Sequence, residues 1–491
     1  MSYATSPDQS QMKTQSNATP TTSGTVPDLV RIGQIPTNTA IDIETDILDP
    51  VVHTDKFCRF QFQNKGILHS NSKIVLRMKT STTDGFLPVG VGIHSLIERC
   101  ALRVGTKTVS EIDDFNHYIG YKSMFMSNEH QKQRESYISG RRLAHKPYYT
   151  EGDGANFEGG IIDITQDAGR TGLDNGVVRQ LDGSLRAQPH VVNKASFGVE
   201  FSISIQDLFP FLYSNQLPLF MMTEPVTIEL FFSPASQKRM CMNKDSVGDT
   251  GLSFEIDTTA TELIADYQYF PQEMMEEYAR QNSELSFTFM DYRLAKRTIE
   301  AKATGTEIST GELIMNVGGA GRLVTKAITC LSNDGVGDQS ILNEYHSVGM
   351  MNPGEVAPGT LTSNIKYNDH FLYPVDVSNP AQQFHNVVQG EGMVPFVTRD
   401  EYSNQGGVLT SAAYEKHPQS NTHLGLQSQF FYQVYKLNRN ERINSRGLEI
   451  YNTFDKIENK TGAAQSFTLR TYLELIRVAT LKDGVMDVFF A

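Results

Sequence analysis

Residues 196–232, SFGVEFSISIQDLFPFLYSNQLPLFMMTEPVTIELFF, carry the clearest hydrophobic pattern of the chain. Phe197, Val199, Phe201, Ile203 and Ile205 share one parity, and Gly198, Glu200, Ser202 and Ser204 take the other. Strict period two predicts a strand with one buried and one wet face. A short turn of helix is expected from Asp207, broken at Pro210. Val226, Ile228, Leu230 and Phe232 then resume the alternation after Pro225. Strand, helix and strand together predict one hydrophobic wall of a sheet sandwich.

The same kind of pattern recurs along most of the chain from about Ile41. Ile74, Leu76 and Met78 alternate after a turn, and the run from Ile93 to Val104 reads as another apolar strand. Leu252, Phe254 and Ile256 give one more, while Leu285, Phe287 and Phe289 open a second series. The chain closes with Phe467, Leu469, Leu473 and Leu475 on one parity and a last strand, VMDVFF. Gly, Asn, Asp and Pro punctuate these runs, as an all-β fold requires.

Two helices are expected among the strands. Ser110-Glu111-Ile112-Asp113 resembles a capping box, with Ile112, Phe115, Tyr118, Ile119 and Met126 near one helical face. In YFPQEMMEEYARQNSEL, Pro271 suits the first turn of a helix, and Glu273, Glu276 and Glu277 favour its N-terminal half. The stretches 128–193 and 333–423 lose periodicity and read as long insertions. VGGAGRL reads as a Gly-rich hairpin. The plan of early strands, long insertion and closing strands thus appears twice, without a residue-level repeat.

Composition narrows the function. The 491 residues hold 43 Lys plus Arg against 56 Asp plus Glu, a formal net charge of -13. Nucleic-acid binding rewards clustered Lys and Arg, and the pairs Arg141–Arg142 and Lys238–Arg239 stand alone. Residues 1–34 are rich in Ser, Thr, Gln and Pro and read as a flexible arm whose few charges (Asp8, Lys13, Asp28, Arg31) decide little. The N-terminus has no apolar run of seven, and no stretch approaches 18 apolar residues, so neither a secretory signal nor a membrane span is expected. The sequons at Asn17 and Asn459 carry no weight without such a signal. Cys58, Cys100, Cys241 and Cys330 show no metal-ligand spacing and point to reduced thiols in a reducing compartment.

Chemistry-bearing patterns are sparse. There is no GxSxG elbow, and no Cys lies in an activating motif. His417 and His423 sit six apart in a loop, where bystander histidines are the rule. The clusters EGDGAN at 151–156 and NDGVGD at 333–338 lack the ligand spacing of a calcium loop and are explained by turns. Gly318, Gly319 and Gly321 are followed by no Lys-Ser/Thr, so they do not make a phosphate loop. No catalytic, cofactor-binding or metal-ligating residue is assigned. Carboxylate pairs that act on sugars are spatial and leave no sequence signature, but the chain has no Trp for a sugar platform, though it has 20 Tyr.

Several blocks together resemble one family. DLFPFLYSNQLPLFMMTEPVTIELFF is similar to the end of the first jelly roll in double jelly-roll major capsid proteins of double-stranded DNA viruses, the adenovirus-hexon-like lineage. IADYQYFPQEMMEEYARQ resembles the passage between its two rolls, and SNSKIVLRM, the Ile112–Met126 helix and KYNDHFLYPVDVSNPAQQFHNV are similar to further features. The resemblance covers most of residues 40–491 and lies nearest to polinton-like virus, virophage and algal large DNA virus proteins.

The resemblance implies two eight-stranded antiparallel jelly rolls in tandem, with short helices and long loop insertions. The expected division is 1–34 arm, 35–270 first roll (insertion about 128–193), 271–284 linking helix and 285–491 second roll (insertion about 333–423). It implies a homotrimer that forms pseudo-hexagonal capsomers of an icosahedral virion, assembled inside the host cell. The insertions would form outward towers and intersubunit clasps. Partners would be neighbouring capsomers, minor and penton capsid proteins and an inner membrane, without specific nucleic-acid binding, enzymatic activity or cofactor. The arm is expected to tie capsomers together on the inner face. A jelly-roll carbohydrate-binding or attachment protein, or a minor capsid protein, is the alternative.

Overall fold

The computed structural model describes residues 41–80, 85–86, 92–122, 125, 139, 191–192, 199–232, 242–243, 254–257, 259–300, 312–333, 360–393, 432–437, 441–455 and 466–491. The arm, Cys241, both sequons, His417, His423, the cluster 151–156, residues 334–338 and most of both expected insertions lie outside them.

Eight principal strands form the first half: β1 (Asp42–Leu48), β2 (Phe57–Gln61), β3 (Lys73–Thr80), β4 (Ile97–Val104), β5 (Lys107–Asp113), β6 (Val199–Ser204), β7 (Val226–Phe232) and β8 (Glu262–Tyr269). They pair antiparallel, first with eighth, second with seventh, third with sixth and fourth with fifth. Pairing of that kind rolls one long hairpin over on itself, which is a jelly roll. The two sheets run β1-β8-β3-β6 and β2-β7-β4-β5.

The second half repeats the scheme with β9 (Glu284–Glu300), β10 (Leu313–Gly318), β11 (Val324–Asn333), β12 (Thr360–Tyr367), β13 (His370–Phe371), β14 (Gln433–Lys436), β15 (Leu448–Asp455) and β16 (Ser466–Lys482). Again first pairs with last and so inward, giving sheets β9-β16-β11-β14 and β10-β15-β12-β13. A final strand β17 (Val485–Phe490) hairpins back on β16 through Asp483 and Gly484, both at positive φ. Asp-Gly is the residue pair that a tight hairpin turn favours. The chain is an all-β double jelly roll, and the duplicated plan read from the sequence is its two rolls.

The alternation at 196–232 fixes burial correctly but not sheet membership. Phe201 and Ile203 on β6 and Val226, Ile228, Leu230 and Phe232 on β7 are all buried. They do not form one wall, because β6 pairs with β3 and β7 pairs with β2 and β4, in opposite sheets. Between them α2 (Ile205–Leu208) and α3 (Pro210–Ser214) carry the chain across the sandwich. Ser204 caps α2 by accepting from the Gln206 amide at 3.3 Å. Pro210 starts α3 at its first turn, where its missing N–H costs nothing.

Three further expectations change. Ser110–Asp113 is not a helix cap but the end of β5, and α1 begins at Phe115 and runs to Lys122. Pairing with β4 outcompetes the local cap, and Asp114 turns the chain at φ 47°. Gly318, Gly319 and Gly321 do not close a hairpin, because β10 and β11 lie in different sheets. Their positive φ values let the chain round that corner. The stretch 333–423 is not irregular throughout: it supplies β12, β13 and α5 (Pro380–Glu391).

Local chemistry explains α5 well. The Asn379 side chain accepts from the Ala381 amide at 2.8 Å, Pro380 opens the helix, and Gly392 ends it in the left-handed region. A Cβ at Gly390 would collide with Val434, so glycine lets α5 lie close on β14. The linking helix α4 (Gln272–Gln281) starts after Pro271, with Glu273 in its first turn and Arg280 in its last, as the helix dipole favours. Ile93 lies in a 3-10 turn, Gly92–Leu96, that precedes β4.

A single buried cluster runs from Cys58 to Met486 and takes in both rolls. Cys58, Cys100 and Cys330 are free thiols within it, and burial pushes Cys58 up to about 12. Among the described residues, no helix is long and apolar enough to cross a membrane.

Phe201 is 3% exposed within this core. Phe201→Asp places an unpaired charge there, at a cost of several kcal/mol. The expected outcome is loss of soluble full-length protein on expression; wild-type yield and melting temperature would show that the β6 face is not core.

Candidate functional site at the seam between the rolls

The seam is built by the edge of the first roll resting on the first–last strand pair of the second, the ladder β9–β16. That ladder pairs 17 residues on each strand, against seven in the equivalent β1–β8 pair. At about 3.3 Å per residue the longer ladder reaches beyond its own sandwich. Its start, near Phe287 and Phe289, packs edge-on against Phe211 of α3 at centroid distances of 5.8 and 4.9 Å. The β16–β17 turn docks beside it, where Gly484 O accepts from the Thr223 amide and hydroxyl, both at 3.0 Å.

Asp114 is the centre of the seam. Its positive φ aims the carboxylate out of the β5–α1 turn, and Asp tolerates that conformation better than most residues. Oδ1 accepts from Lys296 Nζ at 2.6 Å and Oδ2 from Arg470 Nε at 2.6 Å. Its carbonyl accepts from the Tyr472 hydroxyl at 2.8 Å. Burial disfavours the anion, but Arg470, His117 and Lys296 outweigh it and hold the carboxyl below its ordinary range.

A second node joins Asp291 to Arg477. Arg477 Nη1 donates to Asp291 Oδ2 and to Val109 O of β5, both at 2.8 Å, and Ser110 Oγ donates to Asp291 Oδ1 at 3.1 Å. Asp291 has no exposure, and burial, offset only partly by Arg477, raises its pKa.

A third node brings α1, α5 and the second roll together. Lys326 pairs with Glu391 and lies 3.1 Å from Glu474, and Lys122 reaches Glu391 at 3.6 Å. Tyr121 donates to Glu391, and Tyr292 and Thr325 donate to Glu474, each at 2.5 Å. Tyr118 lies over Tyr292 at 4.5 Å and near Tyr472 at 5.9 Å. Burial opposes ionisation of Glu391, yet Lys122 and Lys326 bring it down to about 2.

These groups hold one another. Each seam carboxylate is engaged by a cation at close range, so the arrangement fixes two bodies and presents no free base to a substrate. A groove lined by Glu98, Arg99, Asp113 and Lys296 opens beside Asp114, and there Arg99 pairs with Glu111 at 3.2 Å. Among the described residues, no group of three or more His, Cys, Asp or Glu is placed to hold a metal ion. Of the residues singled out in the sequence, Gly318, Gly319 and Gly321 sit at the β10–β11 corner, away from the seam, and the histidine pair and 151–156 lie outside the described residues.

No sequence motif marks the residues of this seam. A signal was present: Arg470, Glu474 and Arg477 interrupt the apolar strand RTYLELIRV, and Lys326 interrupts VTKAITC. Charges inside a central strand demand buried partners. Nothing local names those partners.

No protein-family model matches the sequence, and no curated protein matches it. Solved structures do. The chain is similar to the Sputnik virophage structure obtained by cryo-EM, with a TM-score of 0.55 and 10% identity, over 93% of this chain and 90% of that one. It is similar to the mavirus major capsid protein with a TM-score of 0.52 and 10% identity, over 100% and 96% of the two chains. A chain of the PBCV-1 virus capsid matches with a TM-score of 0.52 and 10% identity, over 92% and 97%. At such identity the likeness is one of fold, and it extends over both rolls.

Asp114→Asn keeps the shape of the turn and removes the buried charge that Arg470 and Lys296 both face. A loss of about 3–5 kcal/mol in urea unfolding of the full chain is expected; no change in midpoint would show the node to be solvated. A pH series gives a second check. Glu391 has a folded pKa of about 2 against an ordinary 4.5, so its stabilisation is full above pH 4.5 and is lost as pH falls towards 2. Glu391→Gln should therefore unfold more easily at neutral pH and lose less stability than wild type across that window. Parallel stability curves for the two proteins would contradict the assignment.

Proposed function

We propose that this chain is a structural major capsid protein, three copies of which close into a ring of six jelly rolls that tiles a viral shell. The observation that carries the reading is the pair of rolls welded side by side by a buried charged seam, in a fold shared over nearly its whole length with the mavirus major capsid protein and the PBCV-1 capsid chain. A building block needs rigid bodies set at one angle, and the seam supplies that without any group free for catalysis. We read the protein as non-enzymatic and without cofactor.

The finer assignments follow the same logic. The rolls are taken as 35–270 and 285–491, joined by 271–284. Sheet strands near the ends of each roll leave long connections at 128–193 and 333–423, whose parts beyond β12, β13 and α5 would make contacts between subunits and towers. Residues 1–34 would tie neighbouring capsomers or minor and penton proteins on the inner face, next to an inner membrane where the shell has one. The net charge of -13 agrees with leaving the genome to other proteins. Buried free thiols at Cys58, Cys100 and Cys330 suit assembly in the reducing interior of a host cell.

Purified protein should run as a trimer of about 164 kDa, three times 54.8 kDa, and show a hexagonal outline in negative-stain micrographs. A stable monomer whose melting temperature rises with added glycans would replace this reading with a carbohydrate-binding one.

A further inference from the structure

At one place in the second roll cations outnumber the anions that face them. Arg293 of β9, Arg477 of β16 and Arg322 of the corner before β11 surround the ring of Phe490 on β17. Their guanidinium carbons lie 5.9, 4.8 and 4.0 Å from its centroid. Among the described residues, Asp291 is the one carboxylate within ion-pair distance of any of them. Arg477 Nη1 stands 2.8 Å from its Oδ2, and Arg293 Nε 3.9 Å from the same oxygen. Its Oδ1 accepts from Ser110. Arginine stays protonated in proteins, so three guanidinium groups against one carboxylate leave two positive charges uncompensated.

Arg322 is the member with no counter-charge. Its amide donates to Gly319 O at 3.1 Å and its carbonyl accepts from the Ile443 amide at 3.0 Å, so its backbone is fixed. Gly319 and Gly321, both at positive φ, form that corner, and the run VGGAGRL thereby sets Arg322 where its side chain reaches Phe490. Burial and the charges of Arg293 and Arg477 lower its pKa, and Asp291 offsets them only in part. An aromatic face attracts a cation, but a charge-assisted hydrogen bond to an anion is stronger, and here three cations share one ring.

Unsatisfied donors give a second, independent sign. The Nε–H groups of Arg293 and Arg477 are buried and have no acceptor. Leaving such a donor unpaired is costly, so an acceptor that enters the cluster gains from each. Arg477 is 5% exposed, whereas Arg293 and Arg322 are partly open and Phe490 is 37% exposed. The cluster is therefore reachable from solvent while its charge is held from below by a buried group.

We propose that the Arg293–Arg322–Arg477 cluster at Phe490 binds a doubly charged oxyanion of the phosphate class. The guanidinium fork matches the oxygen spacing of a phosphate, and two surplus positive charges match a dianion. Arg322 and Arg293 supply donors on the open side, and Arg477 adds its charge to theirs. The bound ion ties β9, the β10–β11 corner and β17 to one point. Arg477 also donates to Val109 of the first roll, so the same ion steadies one end of the contact between the rolls.

Equilibrium dialysis of the full-length protein against labelled inorganic phosphate reads the site directly. Wild type should take up one phosphate per chain, and Arg322→Gln and Arg293→Gln should each weaken binding about tenfold or more. Melting curves add a readout that packing alone would not move. Without phosphate at low ionic strength, Arg322→Gln relieves repulsion and should melt at or above the wild-type temperature. With saturating phosphate the wild type should rise and the variant should not, so their order reverses. Phosphate uptake unchanged in both variants would overturn the proposal. So would an Arg322→Gln protein that melts below wild type by the same margin with and without phosphate, which would leave Arg322 as packing for Phe490. Acetate at matched ionic strength should not replace phosphate; equal stabilisation by acetate would reduce the effect to screening and overturn the site as well. Flotation with phosphatidylcholine vesicles that carry phosphatidic acid separates two sources of the same chemistry. Capture of wild type but not of Arg322→Gln assigns the phosphate to a lipid headgroup, and uptake in dialysis without capture assigns it to the free ion.

Discussion

The bond from Asp114 to Arg470 and Lys296 is the constraint on which the rest of the architecture depends. It joins a turn of the first roll to the central strand of the second, with Asp114 and Arg470 both buried. An ion pair in such a place gains little net stability over an apolar contact, because both partners lose their hydration. What it supplies is direction. An apolar seam tolerates sliding by a side chain's width, whereas a carboxylate held between a guanidinium and an ammonium has one good position. The first roll also meets two ion-pair groups internal to the second, through Ser110 and Val109 at Asp291–Arg477 and through Tyr121 and Lys122 at Glu391, so three points along the seam fix rotation as well as translation.

This division of labour explains why the two rolls are not copies in detail. The first–last ladder has seven residue pairs in the first roll and 17 in the second. The extra length makes a shelf for α3 and β5, and only the second roll needs one inside the chain. The first roll's short ladder carries a mixed outer face, Ile43 and Ile47 on either side of the Thr45–Asp266 hydrogen bond. A jelly roll has few free edges, so most of its surface is safe from unspecific pairing.

Part of this was legible in residues alone. Period two at Phe201–Ile203 and Val226–Phe232, the last strand VMDVFF and Pro271 ahead of α4 each describe local geometry, and each is found in place. The seam was half legible. Arg470, Glu474 and Arg477 inside an apolar strand require buried counter-charges, yet Asp114 lies 356 residues from Arg470. No spacing rule spans that distance. The error at Ser110–Asp113 has the same origin: a sound local cap lost to pairing with β4 and to burial under the second roll.

The sequence by itself determined which side of each strand is apolar, where most turns fall, and that the chain builds two similar β bodies without a nucleophile or metal motif. These follow from interactions within a few residues, which alternation and turn chemistry encode directly. Only the tertiary structure decided which sheet each strand joins, that β6 and β7 face each other across a core, and that Asp114 and not a capping box occupies the end of β5. Those outcomes depend on long-range pairing, where first meets last across some 220 residues in the first roll. Period two reports that a strand has a buried face, but not which partner buries it.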